Sequence, residues 1–221
     1  MQKGIKAGIL IVALAVPALI FLFLRGFGEN HYKLPKLIPV IDSTTGYIKM
    51  KKNPNPKWDE PEMDTVFHTI PDWTLTNEEG KSFTNKQLAG KIYVADFFFT
   101  RCTSICPKMS TQLTRVQDTF GQDKDVEFAS FTVDPSHDTP EMLREYAKQY
   151  DAIPGKWHFL TGTRQQLYPL AVKGYYIPVA DASEYDKAVK TPDETFIHSE
   201  KLILVDKEGY IRGFYDGTDK K

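Results

Sequence analysis

The chain is sparing with cysteine: its 221 residues contain two, Cys102 and Cys106, both in one short turn. No third cysteine stands elsewhere, which argues against a peroxidase that needs a distant resolving thiol. No stripe of lysine and arginine runs through the sequence, and 28 basic against 29 acidic residues leave a formal charge of −1. Nucleic acid is therefore not expected as a partner. Internal repeats and low-complexity tracts are also missing, which removes solenoids and arrays. Hydrophobic residues at 41% and charged residues at 26% are ordinary for a globular protein and argue against overall disorder.

Acid is absent from the first 25 residues, which hold Lys3, Lys6 and Arg25. Between these charges the uncharged run from Gly8 to Leu24 approaches the length that spans a bilayer. A cleaved leader would need a shorter apolar stretch followed by small residues. Here the run ends in Phe23-Leu24-Arg25-Gly26-Phe27, and no early cysteine is present to take a lipid. Residues 1–25 therefore read as an uncleaved single-pass anchor, in which Pro17 is tolerable. Basic residues flank the run on both sides, so charge counting leaves its orientation open. Removing its three basic residues leaves 25 basic against 29 acidic residues in the remainder, a formal charge of −4. A mildly acidic domain suits a basic protein patch or a cation.

Residues 26–65 are rich in proline and carry the basic-polar run KMKKNPNPK, which reads as an irregular tether with one short strand near 37–41. The folded domain is expected over 66–221. The segment DWTLTNEEGKSFT predicts two short strands about a turn at Glu79-Gly80. Lys91–Thr100 is a continuous apolar and aromatic run, as in a central strand buried on both faces. Met109, Leu113, Val116 and Phe120 recur at helical period and predict a helix over 107–120. Val126–Val133 is the next strand. Thr139-Pro140-Glu141 is a helix start, with a capping residue, proline in the first turn and an acid after it. A further helix over 163–172 contains Pro169. Lys201–Val205 and Tyr210–Tyr215 predict a hairpin, with Gly209 at a left-handed position. The order strand–helix–strand–helix closing on an antiparallel hairpin indicates an α/β sandwich around a mixed sheet. With the dithiol after a central strand and opening a helix, the thioredoxin-like fold is the economical choice.

Three residues separate the cysteines, one more than a dithiol redox motif uses. Pro107 disfavours helical dihedrals at Cys106 and suits the first helical position, placing Cys106 near the N-cap. Both sulfurs would then face the positive end of the helix dipole, which favours thiolates. Thiolate is both nucleophile and soft metal ligand, so position alone leaves three readings open. One is a buried pair acting as small hydrophobes. The second is peroxidase chemistry at the fragment T-x-x-C. The third is a copper(I) or zinc site, which needs at least one more ligand. The histidines are His31, His68, His137, His158 and His198. In a thioredoxin-like fold the loop carrying His198 faces the dithiol turn, which puts it ahead of the others.

The ordered motifs add a resemblance. C-x-x-x-C-P at Cys102–Pro107, D-P-x-x-D-T-P at Asp134–Pro140, W-x-F-L-T-G at Trp157–Gly162, and H-S followed by L-x-x-V-D at His198–Asp206 are collinear over roughly residues 66–217. In these marks the chain resembles the Sco/SenC family, membrane-anchored thioredoxin-like copper proteins that help build the dinuclear copper centre of cytochrome c oxidase. The resemblance implies that Cys102, Cys106 and His198 hold one copper, as Cu(I) or as Cu(II) with an added ligand. The extra residue between the cysteines would let both sulfurs converge on one ion, with the imidazole closing a roughly trigonal site. It implies a supporting role for Asp134 and Asp138, whose rival role is turn formation and helix capping. The implied partner is the copper-centre subunit of the oxidase. The implied location is the cytoplasmic membrane, with the domain on the periplasmic side. A thiol–disulfide reductase that keeps the acceptor's cysteines reduced, and a redox or copper sensor, are the alternatives. Two departures stand out: Arg101 precedes Cys102, and the chain ends at Lys221, soon after Gly217, where relatives continue into a last helix. A bare apolar sheet face is the expected consequence.

Overall fold

The computed structural model describes residues 2–27, 34–58, 61–182, 191, 195–197 and 199–219. The chain divides into two compact units, Met1–Leu34 and Pro35–Lys221. The first contains helix α1, Gln2–Phe27. Its side chains are described without a break from Ile11 to Arg25, all of them exposed. Among the described residues no helix is long and apolar enough to cross a membrane.

The second unit opens with structure where an irregular tether was expected. Strands β1 (Met50–Lys52) and β2 (Met63–Thr65) pair antiparallel, and bridges Ile41 to Ile48 and Pro39 to Phe67 extend the arrangement. Proline and lysine hide these strands from a periodicity reading, because the pairing is held by backbone bonds such as Val40 N–H to Val66 O at 2.8 Å. Leu37 N–H donates to Ile211 O, which ties this small sheet to the main one.

The main sheet follows. Strands β3 (Thr74–Asn77) and β4 (Ser82–Thr84) form the expected hairpin, with Gly80 at φ +76° in its turn. Then come β5 (Ile92–Phe98), helix α2 (Cys106–Phe120), β6 (Val126–Thr132), α3 (Pro140–Gln149), β7 (Trp157–Thr161) and α4 (Arg164–Pro169). A two-stranded ribbon of β8 (Ala180–Asp181) and β9 (Phe196–Ile197) precedes the closing hairpin of β10 (Lys201–Val205) and β11 (Ile211–Asp216). The strand order is β11-β10-β5-β6-β7-β3-β4, with β5, β6 and β7 parallel and the rest antiparallel. This is the mixed sheet of a thioredoxin-like sandwich.

Both faces of the central strands are covered, so the bare face expected from the sequence does not occur. On one face Tyr146 of α3 packs on Phe98 and Phe159, and its hydroxyl meets Ser110 of α2 at 2.9 Å. On the other, Tyr175 packs on Phe97 and Phe131, and Trp73 closes on Phe131. The segment that carries Tyr175 departs from a regular helix. Pro169 has no amide to continue the α-helical ladder, and the chain widens into a π turn at Leu170–Gly174, with Tyr175 N–H donating to Leu170 O.

Candidate functional site

The cysteines lie at the carboxyl end of β5, where the chain turns into α2. Cys102 N–H donates to Phe99 O at 3.2 Å, and Met109 N–H closes the first helical turn on Ile105 O at 3.0 Å. Ile105 is therefore the N-cap and Cys106 the first helical residue, with Pro107 after it. Both cysteines are buried thiols, Cys106 completely so. The amide of Cys106 donates to Cys102 Sγ at 3.3 Å, and Ser104 Oγ lies 3.7 Å from the same sulfur. An N–H group at the start of a helix is thus aimed at Cys102.

The expected lowering of both thiol pKa values does not hold at Cys106. The Cys102 sulfur hydrogen-bonded beside it, and then burial, push the Cys106 thiol well up, against a helix amide field that favours charge. Two hydrogen-bonded thiols in a buried site do not both become anions unless a cation joins them. The pair retains a proton by itself and can surrender it to a soft metal ion.

Behind the turn stands a clamp between segments more than thirty residues apart. Asp138, fully buried, accepts from Thr100 N–H at 3.1 Å, from Thr100 Oγ1 and from Thr132 Oγ1. Asp134, 1% exposed, accepts from Arg101 Nε at 3.2 Å and from Arg101 Nη2, and Ser136 Oγ donates to its other oxygen at 2.8 Å. The two carboxylates therefore fix Thr100 and Arg101, the residues directly before Cys102. Arg101 does not present an unpaired cation to the sulfurs; its charge is met by Asp134. His137 Nδ1 lies 3.0 Å from Asp138 Oδ1. Asp134, His137 and Asp138 bring ligand-type atoms within 4.8 Å of one another, but protein donors already occupy both carboxylates. Local turn chemistry is part of their role; holding the cysteine turn is the part that sequence spacing did not reveal.

The remaining histidines divide. His68 Nε2 meets Gly174 O at 2.9 Å, and His158 packs on Phe83 with Nε2 3.3 Å from Glu127, so both serve packing away from the turn. His31 and His198 lie outside the described residues. Phe196, in β9, packs its ring at a tilt of 55° on that of Phe99, with centroids 5.1 Å apart. One buried acid escaped notice in the sequence. Asp96 sits in β5 on the face covered by α2 and α3, accepting from Ser130 Oγ, which in turn accepts from Trp157 Nε1 at 2.8 Å. Burial pushes its carboxyl up to about 7 despite the Ser130 bond. A lone acid within the run YVADFFF was the available signal.

Comparison with known proteins matches this arrangement to one family. The SCO1/SenC profile covers residues 61–221. The SCO1 protein homolog of Bacillus subtilis (strain 168) is 31% identical over 160 residues, spanning 71% of this chain and 78% of that one. BsSco, a member of the Sco family of cytochrome c oxidase assembly proteins in which a disulfide switch has been identified, superposes with a TM-score of 0.57 at 30% identity, over 69% of this chain and 86% of that one. Arabidopsis thaliana ScoI with copper bound superposes with a TM-score of 0.56 at 26% identity, over 67% and 88%. A profile match over most of the chain, together with the cysteine turn on its thioredoxin-like frame, places the protein: it belongs to the SCO1/SenC family.

Proposed function

We propose that the chain carries copper to the copper-centre subunit of a cytochrome c oxidase. Cys102 and Cys106 supply two sulfurs and His198 the third ligand. The observation that carries this reading is the pair of buried free thiols at the start of α2, with the Cys106 amide 3.3 Å from Cys102 Sγ, a donor set suited to a soft monovalent ion. Copper-bound relatives of the same fold support it. The packing of Phe196 on Phe99, three residues before Cys102, supports His198 as the closing ligand. Loading exchanges the proton kept by the sulfur pair for the ion, and delivery reverses the exchange as acceptor ligands take over. Asp134 and Asp138 hold the turn and do not touch the cargo. The domain works on the periplasmic side of the cytoplasmic membrane, tethered by residues 1–25. The uncharged run Gly8–Leu24 and the helix that carries it support the tether.

A second reading has its own support. The adjacent sulfurs, and the disulfide switch identified in BsSco, suit a thiol–disulfide reductase. In that reaction Cys102 and Cys106 lose two electrons and two protons and join as a disulfide, while an acceptor disulfide becomes two thiols. His198→Ala separates the two. Under copper delivery the variant loses copper affinity sharply. Under the reductase it exchanges thiols at an unchanged rate and copper binding has no bearing on function.

A further inference from the structure

The face of the main sheet under α2 and α3 holds two phenols that neither proposed function uses. Cys106, Ser110 and Thr114 stand four residues apart on α2 and so form one stripe along it. Against that stripe lie Tyr146 of α3 and Tyr150, which caps the end of the same helix. The Tyr146 hydroxyl meets Ser110 Oγ at 2.9 Å, and Thr114 Oγ1 donates to Tyr150 O at 3.1 Å. The centroids of the two phenol rings are 4.8 Å apart. Tyr146 and Ser110 are buried, whereas Tyr150 is half-buried and reaches water. Burial is the main influence that raises both phenols above their ordinary value. A charge on Cys106 raises both further, so each lies within electrostatic reach of that sulfur.

Packing does not call for a hydroxyl at the inner position. Tyr146 packs on Phe98 and Phe159, where a phenylalanine would fill the same space. A buried hydrogen-bonded pair adds little net stability over an apolar pair of the same shape. What a phenol offers beyond a phenyl ring is an electron that a sulfur radical can take. We infer that Tyr146 and Tyr150 form a relay that drains a one-electron oxidation of the cysteine pair to the protein surface. The inference goes beyond both functions proposed above and rests on neither, since it needs only the thiols.

The steps balance. A one-electron oxidant of the nitrogen dioxide class takes an electron and a proton from a thiol, leaving as nitrous acid and creating a thiyl radical. Tyr146 gives an electron to that sulfur, its proton held in the bond to Ser110 Oγ, and Tyr150 then restores Tyr146. In sum the thiyl radical becomes a thiolate, while Tyr150 loses one electron and releases its phenol proton to water. A soluble donor of the ascorbate class returns the electron, and water returns the proton. The pair thereby escapes closure to a disulfide. Phe98 and Phe159 yield no electron to a thiyl radical. Trp157, stacked 5.1 Å beyond Phe159, is 1% exposed and offers no exit.

A thiyl radical made in place, without metal, provides the test. The reduced full chain in detergent is converted to its mono-S-nitroso form and photolysed with light that excites neither tyrosine nor tryptophan. Homolysis of the S–N bond releases nitric oxide and leaves the radical on sulfur. Transient absorption and EPR of freeze-quenched samples are expected to show a phenoxyl radical that ascorbate removes promptly. In Tyr150→Phe the phenoxyl should persist on buried Tyr146, out of reach of ascorbate. In Tyr146→Phe it should be lost and the disulfide yield should rise, which a role in packing alone would not produce. Tyr150→Phe changes only a half-buried residue, so it decides the matter if loss of the Tyr146 hydroxyl unfolds the chain. Ascorbate decay equal in wild type and Tyr150→Phe overturns the relay. So does a wild-type phenoxyl signal in Tyr146→Phe, an indolyl radical in place of phenoxyl, or no aromatic radical in the wild type.

Discussion

Asp96 is one of the few groups in the core that trades a proton across an ordinary pH range. Burial penalises the anion and pushes its carboxyl up to about 7, from the ordinary aspartate value of 3.8. Between those values the folded chain keeps a proton that the unfolded chain has released. Stability therefore falls as pH rises through that window, by up to about 1.4 kcal/mol per unit. Asp96→Asn keeps the acceptor for Ser130 and removes the titration. Its stability gain over the wild type should be small near pH 4, grow to about pH 7 and then level off, as read by urea denaturation across pH. Parallel curves for the two proteins would contradict it. Asp138 is the opposite case, a buried acid saturated with donors. Asp138→Ala leaves Thr100 N–H and two hydroxyls without their acceptor and should cost about 2–4 kcal/mol in the same measurement. The roles of these two acids were not legible in the sequence. Their partners, Ser130 for Asp96 and Thr100 for Asp138, are more than thirty residues distant, and no local spacing encodes such a contact.

Elements were read more fully than residues, and for a physical reason. The strand at 92–98 and the closing hairpin announce themselves through continuous apolar runs and a turn glycine, Gly209, at φ +83°. Helix α3 carries its own start signal, and Thr139 Oγ1 accepts from Met142 N–H at 3.4 Å. Thr139→Ala should therefore cost about 1 kcal/mol, while Thr139→Ser should be nearly neutral, in thermal or urea unfolding. Equal losses in both variants would show that packing, not the cap, matters at that position. What escaped were elements without a period. The small sheet over 39–67 is written in prolines and lysines, and the π turn after Pro169 answers to one missing amide. The stripe on α2 held at Met109 and Leu113, both fully buried, but Phe120 at its end is 45% exposed. The start of α2 fell one residue earlier than expected, at Cys106, and the dipole argument built on that start yielded to the neighbouring sulfur.

At the scale of the whole molecule the chain divides its labour between an apolar N-terminal helix and a thioredoxin-like unit whose cysteine turn is braced from behind by two acids. Because the sulfur pair keeps a proton that copper must displace, apparent copper affinity should rise with pH, and proton release on loading should be measurable in buffers of different ionisation enthalpy. No pH dependence would mean that the pair is already fully ionised. The most direct test of the copper-carrier reading is an anaerobic copper(I) titration of the reduced full chain in detergent, beside Cys102→Ser and Cys106→Ser. One tightly bound copper per chain, lost in either variant, is the expected result. Absence of stoichiometric copper, with both thiols intact and rapidly exchanging, would contradict it and leave the reductase.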